Sequence, residues 1–188
     1  MRFEPRLPPS WAALRSPVVL LLSLAFATPV AAQDLKASLL DDFERMRGNV
    51  LGMVDAMPAS GLRTAPTEGV RDFAQQIEHV VQGNVGIIQS GVDAPVETAG
   101  FDPEVYLNDK AELARYVNAG FDAVADLINA IPDDGLRAET PLFGQAQVET
   151  WKLVQTAYEH GVWTLGATVP YLRLNDSAPP GYNLIPSG

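Results

Sequence analysis

The chain has 188 residues, with 13 lysines and arginines against 23 aspartates and glutamates, a net charge of −10, two histidines and no cysteine. That acidity argues against nucleic acid, whose phosphates need cationic neutralisation, and against anionic membrane surfaces. The lack of cysteine excludes disulfides, thiolate ligands and thiol nucleophiles.

Residues 1–32 read as a signal peptide. Arg2, Arg6 and Arg15 supply a basic start, the apolar run 18–27 follows, and Pro29-Val30-Ala31-Ala32 offers small residues for cleavage before Gln33. A run of about ten apolar residues suits a signal core and is too short for a bilayer, which takes roughly twenty. The chain is therefore expected to be exported, periplasmic or secreted, with no stable membrane anchor after cleavage. Residues 33–188 then form one domain. Losing three arginines and one glutamate moves its net charge from −10 to −12, which favours solubility.

Asp34 is the expected N-cap of the first helix. Leu35, Leu39, Leu40, Phe43, Met46, Val50, Val54 and Met57 follow at three- and four-residue spacing, and Pro58 ends it. A second helix is expected to open at Thr67 or Gly69, to carry Phe73, Ile77, Val80, Val81, Ile87 and Ile88, and to end at Gly91. Residues 92–107 contain Pro95, Gly100 and Pro103 and form the longest connection, where a crossover is expected. Asp109 caps the third helix, with Glu112 three residues on completing a capping box. Its stripe is Leu113, Tyr116, Val117, Phe121, Val124, Leu127 and Ile128. The fourth helix is expected from about Val148 to Leu174, with Trp151, Val154, Tyr158, Val162, Leu165, Val169 and Leu172 inward and a kink at Pro170. No strand signal of comparable strength is present.

One phrase occurs twice. Ala56-Met57-Pro58-Ala59-Ser60-Gly61-Leu62-Arg63 returns as Ala130-Ile131-Pro132-Asp133-Asp134-Gly135-Leu136-Arg137, and each copy precedes a helix with a Glu-His pair, Glu78-His79 and Glu159-His160. The repeat predicts an all-α fold: an up-down four-helix bundle of two pseudo-repeated αα-hairpins joined by a long crossover connection. Gly61 and Gly135 are expected to supply positive φ after each helix. His79 and His160 should occupy equivalent places and face one another across the interior. His79 has Gly83 and Gly86 on its own face, and His160 has Ala157 and Thr164. Two histidines can equally be hydrogen-bonded packing residues, since zinc generally takes three or four protein ligands.

Over roughly residues 35–182 the chain resembles the DinB family of small helical-bundle proteins. The resemblance rests on Phe73-x5-His79, on Asp109-Lys110-Ala111-Glu112-Leu113, and on His160…Tyr171-Leu172-Arg173…Pro179-Pro180. It implies a divalent metal (zinc, nickel or iron) bound by three histidines, one on the second helix and two at H-x3-H on the last. His79 matches the first position and His160 the second, but the third is Thr164. A threonine hydroxyl is a poor substitute for imidazole, and Glu78 and Glu159 point about 100° away from their neighbouring histidines. The metal is therefore expected to be weak or absent.

Other site residues have plain readings. Arg173 is expected to complement a helix C-terminus in preference to binding a substrate carboxylate, and Trp163 and Tyr158 to pack in the core in preference to forming a substrate platform. The expectation is an exported bundle protein with a degenerate metal site, non-catalytic or binding an unidentified small ligand. The alternative is a divalent-metal enzyme of thiol-transferase, isomerase or hydrolase type using His79 and His160. Catalytic residues are not assigned, and a homodimer is left open.

Overall fold

A computed structural model describes residues 27–96 and 100–185, with side chains from Asp34. Most of the signal-peptide reading, residues 1–26, lies outside the described residues. The elements are helices α1 (Ala27–Ala56), α2 (Phe73–Gln89), α3 (Pro103–Tyr106) and α4 (Lys110–Ala130), strands β1 (Glu139–Leu142) and β2 (Ala146–Glu149), then helices α5 (Thr150–Gly166) and α6 (Val169–Leu174). The fold is mostly helical, and the expectation of an all-α chain is corrected by one small sheet. No described helix is long and apolar enough to cross a membrane.

Local chemistry explains where these elements start and stop. The first helix passes through Asp34, so that residue is not its N-cap. The second helix starts four to six residues later than expected, because Asp72 and Gln75 form a reciprocal capping box: Gln75 N donates to Asp72 Oδ1 at 2.9 Å and Asp72 N to Gln75 Oε1 at 3.0 Å. Asp109 caps α4 by accepting from the Ala111 and Glu112 amides. Only half of that expected box forms, since the Glu112 carboxylate is held by Arg115 at 2.7 Å. The long fourth helix is broken between Gly166 and Val169. Pro170 sits in the first turn of α6, where its missing N–H has no partner to lose.

The hairpin replaces the expected start of the fourth helix. Its strands pair antiparallel with Thr140 opposite Val148 and Leu142 opposite Ala146. Phe143 and Gly144 make the turn, both with positive φ, as tight hairpins require. Thr140 Oγ1 donates to the Gly91 carbonyl at 2.8 Å, tying the hairpin to the end of α2.

The core joins the expected stripes of α1, α2 and α4, including fully buried Met46, Phe73, Ile77, Leu113 and Leu127. On α5 the buried face is rotated: Leu153, Val154, Ala157, Gly161, Thr164 and Leu165 point inward, while Trp151, Tyr158 and Val162 are only half-buried. The tightest helix pairs are α2 with α5 and α1 with α4, followed by α2 with α4 and α1 with α5. Consecutive helices are thus not the nearest partners, as αα-hairpins would be. Corresponding helices of the two repeats pack on one another.

Both copies of the repeated phrase build the same corner. Each repeats the same backbone bonds, Gly61 N to Pro58 O and Gly135 N to Pro132 O. Each holds a 3-10 turn, at Ala59–Gly61 in the first copy and two positions further along the phrase, at Gly135–Arg137, in the second, and each inserts a fully buried leucine, Leu62 or Leu136. Each arginine then pairs with the acid that starts the following helix: Arg63 Nε with Asp72 at 2.6 Å, and Arg137 Nη1 with Glu149 at 3.5 Å. Neither Gly61 nor Gly135 has positive φ. Gly61 is needed for space, because a Cβ there would lie 2.5 Å from Met57 Sδ and 2.7 Å from Asn175 Oδ1.

Candidate functional site

The packing of α2 on α5 creates the site. Counted from the N-caps Asp72 and Glu149, Gly83 and His160 are both eleventh, and Asn84 and Gly161 both twelfth. At this crossing each helix offers a glycine to the other's polar side chain. A Cβ on Gly83 would lie 2.0 Å from His160 Cε1 and 2.4 Å from its Nδ1, and one on Gly161 would lie 2.7 Å from Asn84 Oδ1 and 2.5 Å from Met46 Sδ. The space that Gly83 leaves is therefore occupied by the other helix's imidazole rather than lying beside His79.

His79 is seventh from its cap, one helical turn before the crossing, so the two histidines are not equivalent in the repeat. They nevertheless meet. His79 Nε2 lies 3.4 Å from His160 Nε2, with ring centroids 5.0 Å apart and planes at 85°. Thr164, one turn beyond His160 and buried, places Oγ1 3.5 Å from His160 Nε2. The three residues expected at the site are together.

Burial lowers the pKa of both imidazoles from the ordinary value, and the positive charge of Arg71 lowers both further; in His79 the neighbouring His160 adds to this and Glu78 opposes it. Both rings are thus neutral near pH 7. A neutral imidazole carries one ring proton, so one Nε2–H can donate to the other ring's Nε2, with the tautomers setting which ring donates.

The neighbouring carboxylates are engaged or directed elsewhere. Tyr106 Oη donates to Glu78 Oε1 at 2.5 Å. Tyr106 in turn stacks on Tyr116 with centroids 4.2 Å apart and planes at 3°. Burial, reinforced by Glu78, raises both phenols, with Tyr116 pushed up to about 12. Glu159 lines an outer groove of α5 with Trp151, Lys152, Gln155 and Thr156. Among the described residues no cluster of three or more His, Cys, Asp or Glu side chains is placed to hold a metal.

The donor set meets part of what a metal requires. Two nitrogens bound tetrahedrally at 2.0–2.1 Å lie about 3.3 Å apart, and the imidazole nitrogens are 3.4 Å apart. The third place holds a hydroxyl. Metal-bound histidines almost always donate their second ring nitrogen to a partner, yet His160 Nδ1 is buried with none. The residues fit two ligands of a metal centre and fall short of the third.

Other expectations divide. Arg173 lies exposed in the last turn of α6. Tyr158 packs edge-on against Phe43 at 5.7 Å, but Trp163, expected in the core, is 83% exposed. Its face of α5 turns outward once the glycine crossing sets the helix rotation. Asn84, Tyr106 and Arg71 escape sequence reasoning. Asn84 looks like an ordinary polar residue between apolar ones, Tyr106 comes from a connection, and Arg71 stands immediately ahead of an unrecognised cap.

Comparison with known proteins agrees with this architecture. The family model described as the DinB superfamily matches residues 42–166. A crystal structure of a DinB-like protein from Bacillus cereus aligns with a TM-score of 0.65 at 16% identity, covering 77% of this chain and 95% of that one, a likeness of fold alone. No curated protein matches. With its family model covering most of the chain, the protein belongs to the DinB superfamily.

Proposed function

We propose that this chain is an exported helical-bundle protein of the DinB superfamily whose His79–His160–Thr164 cluster is a degenerate metal site, non-catalytic or binding a small ligand. In this reading residues 1–32 are removed as a signal peptide, and residues 33–188 form one domain that works in the periplasm or outside the cell. The bundle is two pseudo-repeated helical pairs in up-down order, and its partners include no nucleic acid. The observation that carries the proposal is Thr164 at the third position, with Oγ1 3.5 Å from His160 Nε2 and no third histidine or carboxylate completing a cluster among the described residues. A hydroxyl holds zinc, nickel or iron far less well than imidazole, and His160 lacks the outer hydrogen bond that would fix it as a ligand.

The second reading is a divalent-metal enzyme using His79 and His160, and the 3.4 Å separation of their Nε2 atoms favours it. There a bound ion supplies Lewis acidity or lowers the pKa of a bound water. Metal analysis of mature, untagged protein purified from its native compartment separates the two. Degeneracy predicts metal below about a tenth of stoichiometry, unresponsive to His79→Ala. Stoichiometric metal that disappears in His79→Ala overturns it in favour of the enzyme.

A further inference from the structure

We propose that the outer face of α1 around Asn49 is a peptide-docking groove that the chain's own residues 177–183 occupy in cis. Its partner is an extended, proline-bearing peptide with an apolar side chain where this chain has Gly181. The groove uses no residue of the histidine cluster.

Beyond α6 the chain turns at Asp176, which has positive φ, and runs back along α1 with no helix or strand of its own. Three anchors hold it. Ser177 Oγ donates to the carbonyl of Ala56, the last residue of α1, at 2.6 Å. Pro180 lies over Gly52, where an added Cβ would stand 3.6 Å from the proline Cγ. Further along, Asn183 N donates to Asn49 Oδ1 at 2.8 Å, and Asn49 Nδ2 donates to Asn183 O at 3.2 Å. Asn49 is buried, and its two bonds engage the main chain of one residue as a neighbouring strand would. It therefore reads an extended backbone rather than a particular side chain. The seat is larger than its occupant. A cavity of about 410 Å³ lies among Glu44, Arg45, Gly48, Gly52, Pro180 and Gly181, and a Cβ added to Gly48 or Gly181 would meet nothing within 4 Å. Gly181 does not have positive φ, so a residue with a side chain can take its place. The charges at this edge are already paired, Glu44 with Arg47 at 3.2 Å and Arg45 with Asp42. An apolar side chain entering from the glycine position thus suits the cavity better than an ion does. The present occupant is lightly held: residues 180–185 are exposed, Leu184 by 74% and Ile185 by 76%. A segment with so few buried contacts opens locally at little cost, which makes it replaceable.

The test is an NMR titration of the full mature chain with a synthetic peptide of residues 177–185, following the Gly48 and Gly52 amides and the Asn49 side-chain amide. The receiving chain carries Asn183→Pro, which removes the N–H that Asn49 accepts and so releases the cis segment. It should bind the peptide saturably at those signals. The Gly181→Leu peptide should bind about fivefold tighter or more, as a newly buried apolar side chain predicts. A peptide N-methylated at Asn183 should bind about tenfold weaker, because one main-chain bond is lost. The unmodified chain should also bind about tenfold weaker or more, since its own segment competes at a high effective concentration. Adding Gly52→Val to the receiving chain fills the proline seat without touching Asn49, and should weaken binding about tenfold. Absence of saturable binding to the Asn183→Pro chain, equal binding by the unmodified chain, or equal binding of the N-methylated peptide overturns the proposal. Equal affinity of the Gly181→Leu peptide and the chain's own overturns the assigned partner, because the cavity is then not read.

Discussion

The two repeats share a corner and differ at a crossing. In both, a proline ends a long helix, a 3-10 turn follows, a leucine is buried, and an arginine reaches the acid that starts the next helix. The second repeat then inserts a hairpin ahead of its helix, and the eleventh position changes from Gly83 in α2 to His160 in α5. The corners are symmetric because each solves the same problem, turning the chain while keeping a hydrophobic anchor. The crossing is asymmetric because two helices this close have room for only one ring at each level. The candidate site lies where the symmetry is broken, with His79 entering from one turn away.

The largest effect should come from the shared corner. Leu62→Ala and Leu136→Ala each remove a fully buried side chain and should each cost about 2–5 kcal/mol in denaturant unfolding. If the repeats are mechanical equivalents, the two losses agree within about 1 kcal/mol. A large loss at one corner and almost none at the other would break the equivalence.

The crossing should respond next. Gly83→Ala must displace the His160 ring and should cost about 1–3 kcal/mol. Gly86→Ala, one turn away in open space, should be neutral or stabilising by up to about 1 kcal/mol, since alanine favours helix. Thermal unfolding of the two variants checks this contrast, and equal effects would mean that α2 and α5 do not meet at Gly83.

The smallest contrast lies in the caps. Asp72→Ala removes a buried capping box and the Arg63 pair, and should cost about 0.5–2 kcal/mol. Glu149 makes no side-chain cap hydrogen bond, so Glu149→Ala should destabilise less. Chemical denaturation of both variants measures the difference, and a larger loss at Glu149 would reverse this ranking of the two helix starts.

The helical stripes were legible because they are periodic. Phe73, Ile77, Leu113 and Leu127 lie at helical spacing, and all are buried. The repeat was legible too, but what each glycine does was not. Positive φ and close approach call for the same residue, and only the neighbours, Met57 and Asn175 at Gly61, distinguish them. The hairpin was hidden by its brevity, with four residues per strand and a proline in the first. The histidine pair was expected from two residues in matching Glu-His dipeptides, and the rings do meet. Their offset of one turn was not visible, because the inserted hairpin changes the distance from the repeated phrase to each helix start. Trp163 was misplaced for a related reason: the rotation of α5 is set by Gly161 against Met46 and Asn84, contacts from distant parts of the chain.

The central claim is that Thr164 is where a metal ligand is missing. Thr164→His places a second imidazole one turn from His160 on the same face of α5, with His79 supplying a third nitrogen from α2. A ligand that binds only the folded state raises the melting temperature by mass action. The decisive measurement is thermal unfolding of the mature protein and of Thr164→His, each with and without added zinc. A clear upward shift in the variant and a much smaller one in the unmodified protein is the expected result; equal shifts in both would contradict the claim that Thr164 is the absent ligand.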